Sequence, residues 1–293
     1  MKLIEKSLDL EEMSTLQENI KSIASAVDNE IHKLLPKDNS TLSQAMRYSC
    51  LETKGKKLRP FLLIETAKLF GIELKDIISI AAATELVHVY TLIHDDLPAM
   101  DNDDFRRNKP SCHKQFNEAT ALLTGNALLV YGLELISQCK HIPLSKRVSL
   151  IYALTQTIGF NGTIKGQLCD IESKGQKLSL EDILALHKLK TGKLIKFSCI
   201  TSTIITNCSQ NAKLAIETFA DNLGLIFQIT DDLLDVKSKP QSNECNVVTV
   251  LGIKKTQELL KSLTKNAISS LEIFGSRADT LKALIYFILK RQA

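Results

Sequence analysis

Tryptophan is absent from the chain, aromatic residues make up only 5% of it, and glycine (12) and proline (6) are scarce for 293 residues. Few aromatics exclude the stacking platform on which single-stranded nucleic acid binds. Few glycines and prolines, against usual shares of roughly 7% and 5%, leave few turns, which favours long helices over many short strands. Charge of one sign is also lacking. Lys+Arg (37) barely exceed Asp+Glu (33), and a net charge of +4 is too balanced for a nucleic-acid partner. No CxxC pair occurs among the seven cysteines, at 50, 112, 139, 169, 199, 208 and 245. Their odd number and wide spacing point to free thiols in a reducing cytosol, not to a disulfide framework or a zinc knuckle. No run approaches the ~18–20 apolar residues of a membrane span. Acids break up the opening MKLIEKSLDLEEMS, so it is not a signal peptide. A soluble, cytoplasmic protein is expected.

What is present is helical periodicity. Apolar residues recur at helical spacing over residues 10–35, 42–51, 60–69, 76–97, 118–139, 145–158, 180 onward, 210–236, 254–273 and 277–290. Pro36, Gly71 and Pro98 supply stops, and Ser179 heads a capping sequence, Ser-Leu-Glu-Asp. Val247-Val248-Thr249-Val250 is the one strand candidate, too short to build a sheet. No linker, repeat or low-complexity tract divides the chain. A single all-α domain over residues 1–293 is expected.

Two carboxylate clusters carry the chemistry. The first is His94-Asp95-Asp96-Leu-Pro-Ala-Met-Asp101-Asn-Asp103-Asp104-Phe-Arg106-Arg107, at the end of an apolar helix. The second is Gln228-Ile-Thr-Asp231-Asp232-Leu-Leu-Asp235, where Asp231 and Asp235 are i,i+4 and share a helix face. Apolar helices presenting several carboxylates are costly unless a cation meets them. Mg²⁺ takes a few carboxylates, keeps some waters and bridges to phosphates. Basic residues supply the complement: Lys56, Lys57 and Arg59 in one loop, Arg106 and Arg107 behind the first cluster, and Lys188, Lys190 and Lys193 around Thr191-Gly192. Carboxylates for metal and separate Arg/Lys clamps read as a diphosphate site. His88 and Asp95, i,i+7, face the same way. Asp95 and Asp101 would diverge by about 120° on a straight helix, but Pro98 breaks it, and a turn there can bring Asp101 back.

In this order and spacing the motifs resemble the trans-isoprenyl diphosphate synthase family, specifically its bacterial short-chain type, similar to farnesyl diphosphate synthase. The resemblance runs from about residue 40 to the C-terminus. It rests on Gly55-Lys56-Lys57-Leu58-Arg59-Pro60, Glu85 to His88, Asp95 to Asp101, Arg106-Arg107, Gly166-Gln167 with Asp170, Lys190-Thr191-Gly192, and Phe227 to Asp235. It implies an isoprenoid-synthase helical bundle around a central cavity. It implies condensation of isopentenyl diphosphate with dimethylallyl or geranyl diphosphate to give farnesyl diphosphate. Mg²⁺, about three ions per active site with Mn²⁺ able to substitute, would be held by Asp95, Asp96 and Asp101 on one wall and Asp231 and Asp235 opposite. Asp232 would belong to the catalytic set with them. Arg106, Lys190 and Lys193 would assist on the allylic diphosphate, and Lys56, Arg59, His88 and Arg107 would hold isopentenyl diphosphate. Thr191 and Gln228 would place oxygen dipoles near the allylic cation. Tyr90, about 7.5 Å deeper along the helix than Asp95, would floor the cavity at farnesyl length. A homodimer is implied too, and the apolar segment 119–135 agrees with it.

The chain departs from the family pattern at Lys54 and Asn108, which stand where glycines are usual, and at Val247 or Val248, where a lysine is usual. Lys237 or Lys239 can compensate for that lysine. The competing readings are a geranylgeranyl or longer-chain synthase, a weakly active partner subunit, and a phosphohydrolase using His94-Asp95. The last needs further metal-spaced histidines, which His32, His113, His141 and His187 do not supply.

Overall fold

The computed structural model describes residues 9–53, 55–238 and 245–291, with the side chains of 237 and 238 left out. Fourteen α-helices make up most of the described chain: α1 Leu10–Leu34, α2 Thr41–Arg47, α3 Leu58–Leu69, α4 Leu74–Asp95, α5 Cys112–Gln115, α6 Glu118–Gln138, α7 Leu144–Ile158, α8 Thr163–Ser173, α9 Leu180–His187, α10 Lys193–Ile205, α11 Gln210–Ser238, α12 Val247–Leu251, α13 Ile253–Leu271 and α14 Asp279–Leu289. The only strands among the described residues, β1 Phe105–Arg106 and β2 Lys109–Pro110, pair antiparallel with Arg106 opposite Lys109. The fold is all-α, as the periodicity predicts.

The chain forms two compact units and passes between them more than once. One holds the described residues of 18–64 and 72–152; the other holds the described residues up to Gln17, residues 65–71 and the described residues from Ala153 on. In the first unit α4 packs along α6, and Phe61, Leu62, Ile77, Ile80, Leu86 and Leu128 are fully buried. In the second, α11 is the axis against which α10, α13 and α14 pack, around Phe197, Phe219, Leu223 and Ile285.

Local signals explain most boundaries. Ser179 caps α9 in a full capping box with Asp182. α4 stops at Asp95, two residues short of the expected end, because Leu97 precedes Pro98 and is steered away from helix. The strand candidate is overturned: Val247–Leu251 is helix, capped by Asn246 with Thr249 answering and ended by Gly252 at φ 76°. No run is expected to approach the apolar length of a membrane span, yet two helices do so by length and composition. α4 and α6 have that length and apolarity, but the α4 window is 67% buried inside the protein and contains the buried Glu85. Neither is a membrane span.

Candidate active site

The basic loop is built on one buried lysine. Lys57, 2% exposed and at φ 50°, sits 3.3 Å from Asp28 and 3.4 Å from Glu85, and donates to the Cys50 carbonyl at 3.1 Å. Burial alone would lower its pKa, but Glu85 and Asp28 outweigh burial and hold the ammonium above its ordinary value. Lys57 is therefore an anchor, and its neighbour Lys56 is left exposed.

Three further basic groups of this unit come together. Arg59 Nη1 lies 3.0 Å from His88 Nε2. Arg107 donates to the Thr53 carbonyl at 3.0 Å, and its guanidinium lies where a Cβ on Gly55 would stand. Among the described residues no carboxylate pairs with Arg59 or Arg107, and Arg59 Nε is buried without a partner. Burial, and Arg107 after the opposing pull of Glu85, bring Arg59 down to about 10, still charged at neutral pH. Burial, then Arg59, Arg107 and Lys57, push His88 well below its usual 6.5, so its imidazole is neutral. Converging cations of this kind make an anion site. Arg107 and Asn108, at φ 53° and 62°, are the central residues of the β1–β2 turn. Asparagine tolerates that left-handed geometry, so it can replace the usual glycine.

The first carboxylate cluster folds as its spacing predicts. The chain turns at Leu97–Met100, and the Asp101 N–H donates to the Asp95 carbonyl at 2.9 Å, returning Asp101 to the end of α4. Asp96 behaves differently. It is 2% exposed and clamped by Arg106, whose Nε donates to Oδ1 at 3.0 Å. Arg106 also meets Asp103 at 3.0 Å. Burial outweighs Arg106 and raises the Asp96 carboxyl. Asp95 and Asp101 are more exposed than Asp96. Deeper on α4, Tyr90 is 6% exposed and packs edge-on against His94, with ring centroids 5.1 Å apart.

The second unit places the other cluster. Lys188–Gly192 is a π-helical turn between α9 and α10, a geometry that often marks function. It carries Lys190 and Thr191. Glycines let it sit close to its neighbours: a Cβ on Gly166 would lie 2.5 Å from the Lys190 nitrogen, and one on Gly224 2.9 Å from Gly192 Cα. Lys190 pairs with Asp170 at 2.6 Å. On α11, Gln228 is one turn beyond Gly224, and Asp231 and Asp235 follow on one face. Burial, with Asp235 and Asp232 adding to it, raises the Asp231 carboxyl against the pull of Arg291. Arg291 Nη2 meets Asp231 Oδ1 at 2.7 Å and its guanidinium stacks over Phe227 at 4.3 Å. Nothing in the sequence singled out Arg291. Among the described residues no three His, Cys, Asp or Glu side chains close on one point. Val247 and Val248 are buried and apolar, so the lysine's place has no cation. Lys239 and the Lys237 side chain lie outside the described residues, as does Lys54.

The family model for polyprenyl synthetase matches residues 39–266, and the chain belongs to that family. The farnesyl diphosphate synthase of Geobacillus stearothermophilus is 40% identical over 224 residues, 76% of this chain and 74% of that protein. Geranylgeranyl pyrophosphate synthase 4 of Arabidopsis thaliana is 34% identical over 285 residues, 92% of this chain and 75% of that protein. Among solved structures, the FPP/GFPP synthase from Zymomonas mobilis superposes with a TM-score of 0.89 at 34% identity, covering 94% of this chain and 99% of that one.

Proposed function

We propose that the protein is a short-chain trans-prenyltransferase that condenses isopentenyl diphosphate with dimethylallyl or geranyl diphosphate to farnesyl diphosphate. The observation that carries this reading is the cationic pair of Arg59 and Arg107 beside the neutral His88, which no carboxylate among the described residues neutralises. Lys56 joins them to bind the isopentenyl diphosphate without metal, and the neutral His88 donates a hydrogen bond. Lys190 and Arg106, now held by Asp170 and Asp96, turn to the allylic diphosphate when it enters. The allylic C–O bond breaks with its electron pair on the diphosphate, the isopentenyl double bond attacks the carbon, and the released proton goes to the departed diphosphate. Thr191 and Gln228 direct oxygen dipoles at the cationic carbon.

Asp95 and Asp101, with Asp231 and Asp235 on α11, are the carboxylates that would hold Mg²⁺. The ion supplies charge stabilisation to the leaving diphosphate. Tyr90 limits the product to farnesyl length; its ring, locked against His94, favours this over a geranylgeranyl product. Residues 1–293 act as one domain. The chain works as a homodimer, supported by Leu122, Leu123 and Val130 exposed on α6. All seven cysteines are free, which suits the cytoplasm.

The test is direct. Purified protein receives Mg²⁺, labelled isopentenyl diphosphate and each allylic starter, and the products are sized by chromatography. Farnesyl-length product, lost in excess chelator, is expected. No condensation with any starter would overturn the reading.

A further inference from the structure

Asp232 sits in the middle of the second carboxylate cluster, yet its surroundings set it apart from Asp231 and Asp235. Its side chain and that of His187 are 9% and 8% exposed. Its Oδ2 lies 3.1 Å from His187 Nε2 and accepts the Val247 N–H at 3.0 Å. These two partners come from different elements. His187 is the last residue of α9 and leads directly into the π-helical turn of Lys190 and Thr191. Val247 is the first residue of α12, where the family pattern has a lysine nearby.

The turn therefore meets α11 at both of its ends. At one end Gly192 packs on Gly224, at the other His187 holds Asp232. Gly224, Gln228 and Asp232 are spaced i, i+4, i+8, so they share one stripe of α11, about 12 Å long. Gln228 falls between the two contacts on α11, and Lys190 and Thr191 fall between them on the turn. Asp231 lies about 100° around the helix from Asp232.

We propose that Asp232 and His187 are positioning residues: a buried carboxylate–imidazole pair that pins the Lys190–Thr191 turn and the start of α12 to α11. Asp232 acts through Lys190 and Thr191 and is not a metal ligand. Removing its carboxylate strands two buried N–H groups and frees one end of the turn. A ligand of the metal needs negative charge; a pin needs only a hydrogen-bond acceptor of the right length. That difference decides the experiment. The kinetic arm rests on the prenyltransfer reading, whereas the Mn²⁺ and unfolding arms need no turnover.

Mn²⁺ binding is measured by electron paramagnetic resonance with inorganic pyrophosphate, thermal unfolding by circular dichroism, and kcat and KM for both substrates, in the full chain. Asp231→Asn should lose Mn²⁺ affinity. Asp232→Asn, which keeps an acceptor, should hold Mn²⁺ within about twofold of the wild type and retain roughly tenfold more kcat than Asp231→Asn. His187→Asn cannot reach Asp232 and should raise KM for the allylic diphosphate and lower kcat by roughly tenfold, leaving KM for isopentenyl diphosphate in place. His187→Gln, whose amide nitrogen takes the Nε2 position, should restore most of that loss. Asp232→Ala and His187→Asn together should be no worse than Asp232→Ala alone, in both kcat and unfolding temperature. The inference is overturned if Asp232→Asn loses Mn²⁺ as Asp231→Asn does, if His187→Asn and His187→Gln behave alike, or if the two losses multiply. Should Asp232→Ala or His187→Asn fail to fold, the Mn²⁺ comparison of Asp232→Asn with Asp231→Asn decides. An inactive wild type would sink the prenyltransfer reading and leave that comparison standing.

Discussion

Three side chains illustrate how environment assigns a role. Arg59 is a half-buried cation beside a neutral His88, and both lack a carboxylate partner among the described residues. Arg59→Gln should raise KM for isopentenyl diphosphate roughly tenfold or more while KM for the allylic substrate moves little; equal shifts in steady-state assays would argue against two separate clamps. His88 also makes stability depend on pH. Its folded pKa lies below the unfolded value of 6.5, so the unfolded chain takes up the proton first as pH falls. The stability His88 confers is complete above 6.5 and declines below it, by at most about 1.4 kcal/mol per pH unit. Urea midpoints of His88→Gln should therefore fall less steeply than those of the wild type below pH 6.5, and parallel curves would refute this. Tyr90 is held edge-on by His94, 5.1 Å between centroids. Tyr90→Ala should lengthen the products seen on chromatography; an active variant that still stops at farnesyl length would remove Tyr90 as the floor.

At the scale of elements, close packing does what side-chain chemistry alone cannot. The π-helical turn approaches α8 only because residue 166 has no Cβ: one there would lie 2.5 Å from the Lys190 backbone nitrogen. Gly166→Ala must push the turn away, shifting Lys190 from Asp170 and Thr191 with it. We expect kcat to fall by about a hundredfold, the effect of a misplacement near 1 Å, with the unfolding temperature lowered by a few degrees. Unchanged kcat in Gly166→Ala would show that the turn can move freely. The β1–β2 turn makes the same point in reverse. Arg107 occupies a left-handed position that asparagine or glycine fills more easily, and in return its guanidinium lies over Gly55.

For the whole molecule, chain tracing and exposed surface matter most. α6 exposes Leu122, Leu123 and Val130 at 47%, 59% and 63%, an apolar face suited to a second copy of the chain. Light scattering at micromolar concentration should report a dimer, and Val130→Lys should shift it toward monomer; a monomeric wild type would refute the homodimer. The chain passes more than once between its two compact units.

Much of this was determined by the sequence itself. Helical periodicity, the Ser179 capping box and the stop at Pro98 are local properties, so the main helices follow from them within a residue or two. The turn that returns Asp101 to Asp95 was legible because proline cannot continue a helix. α8 was missed, and the open-ended helix from 180 onward is two helices, α9 and α10, joined by a π-helical turn. Val247–Leu251 looked like a strand from its valines, but a strand needs a partner, and a five-residue helix capped by Asn246 needs none. Roles within a motif were decided only by the tertiary structure. Adjacent letters such as Lys56 and Lys57, or Asp231 and Asp232, are chemically identical in sequence. Burial and partners contributed from distant segments, Glu85 and Asp28 for Lys57 and His187 and Val247 for Asp232, separate the anchors from the groups left to meet substrate.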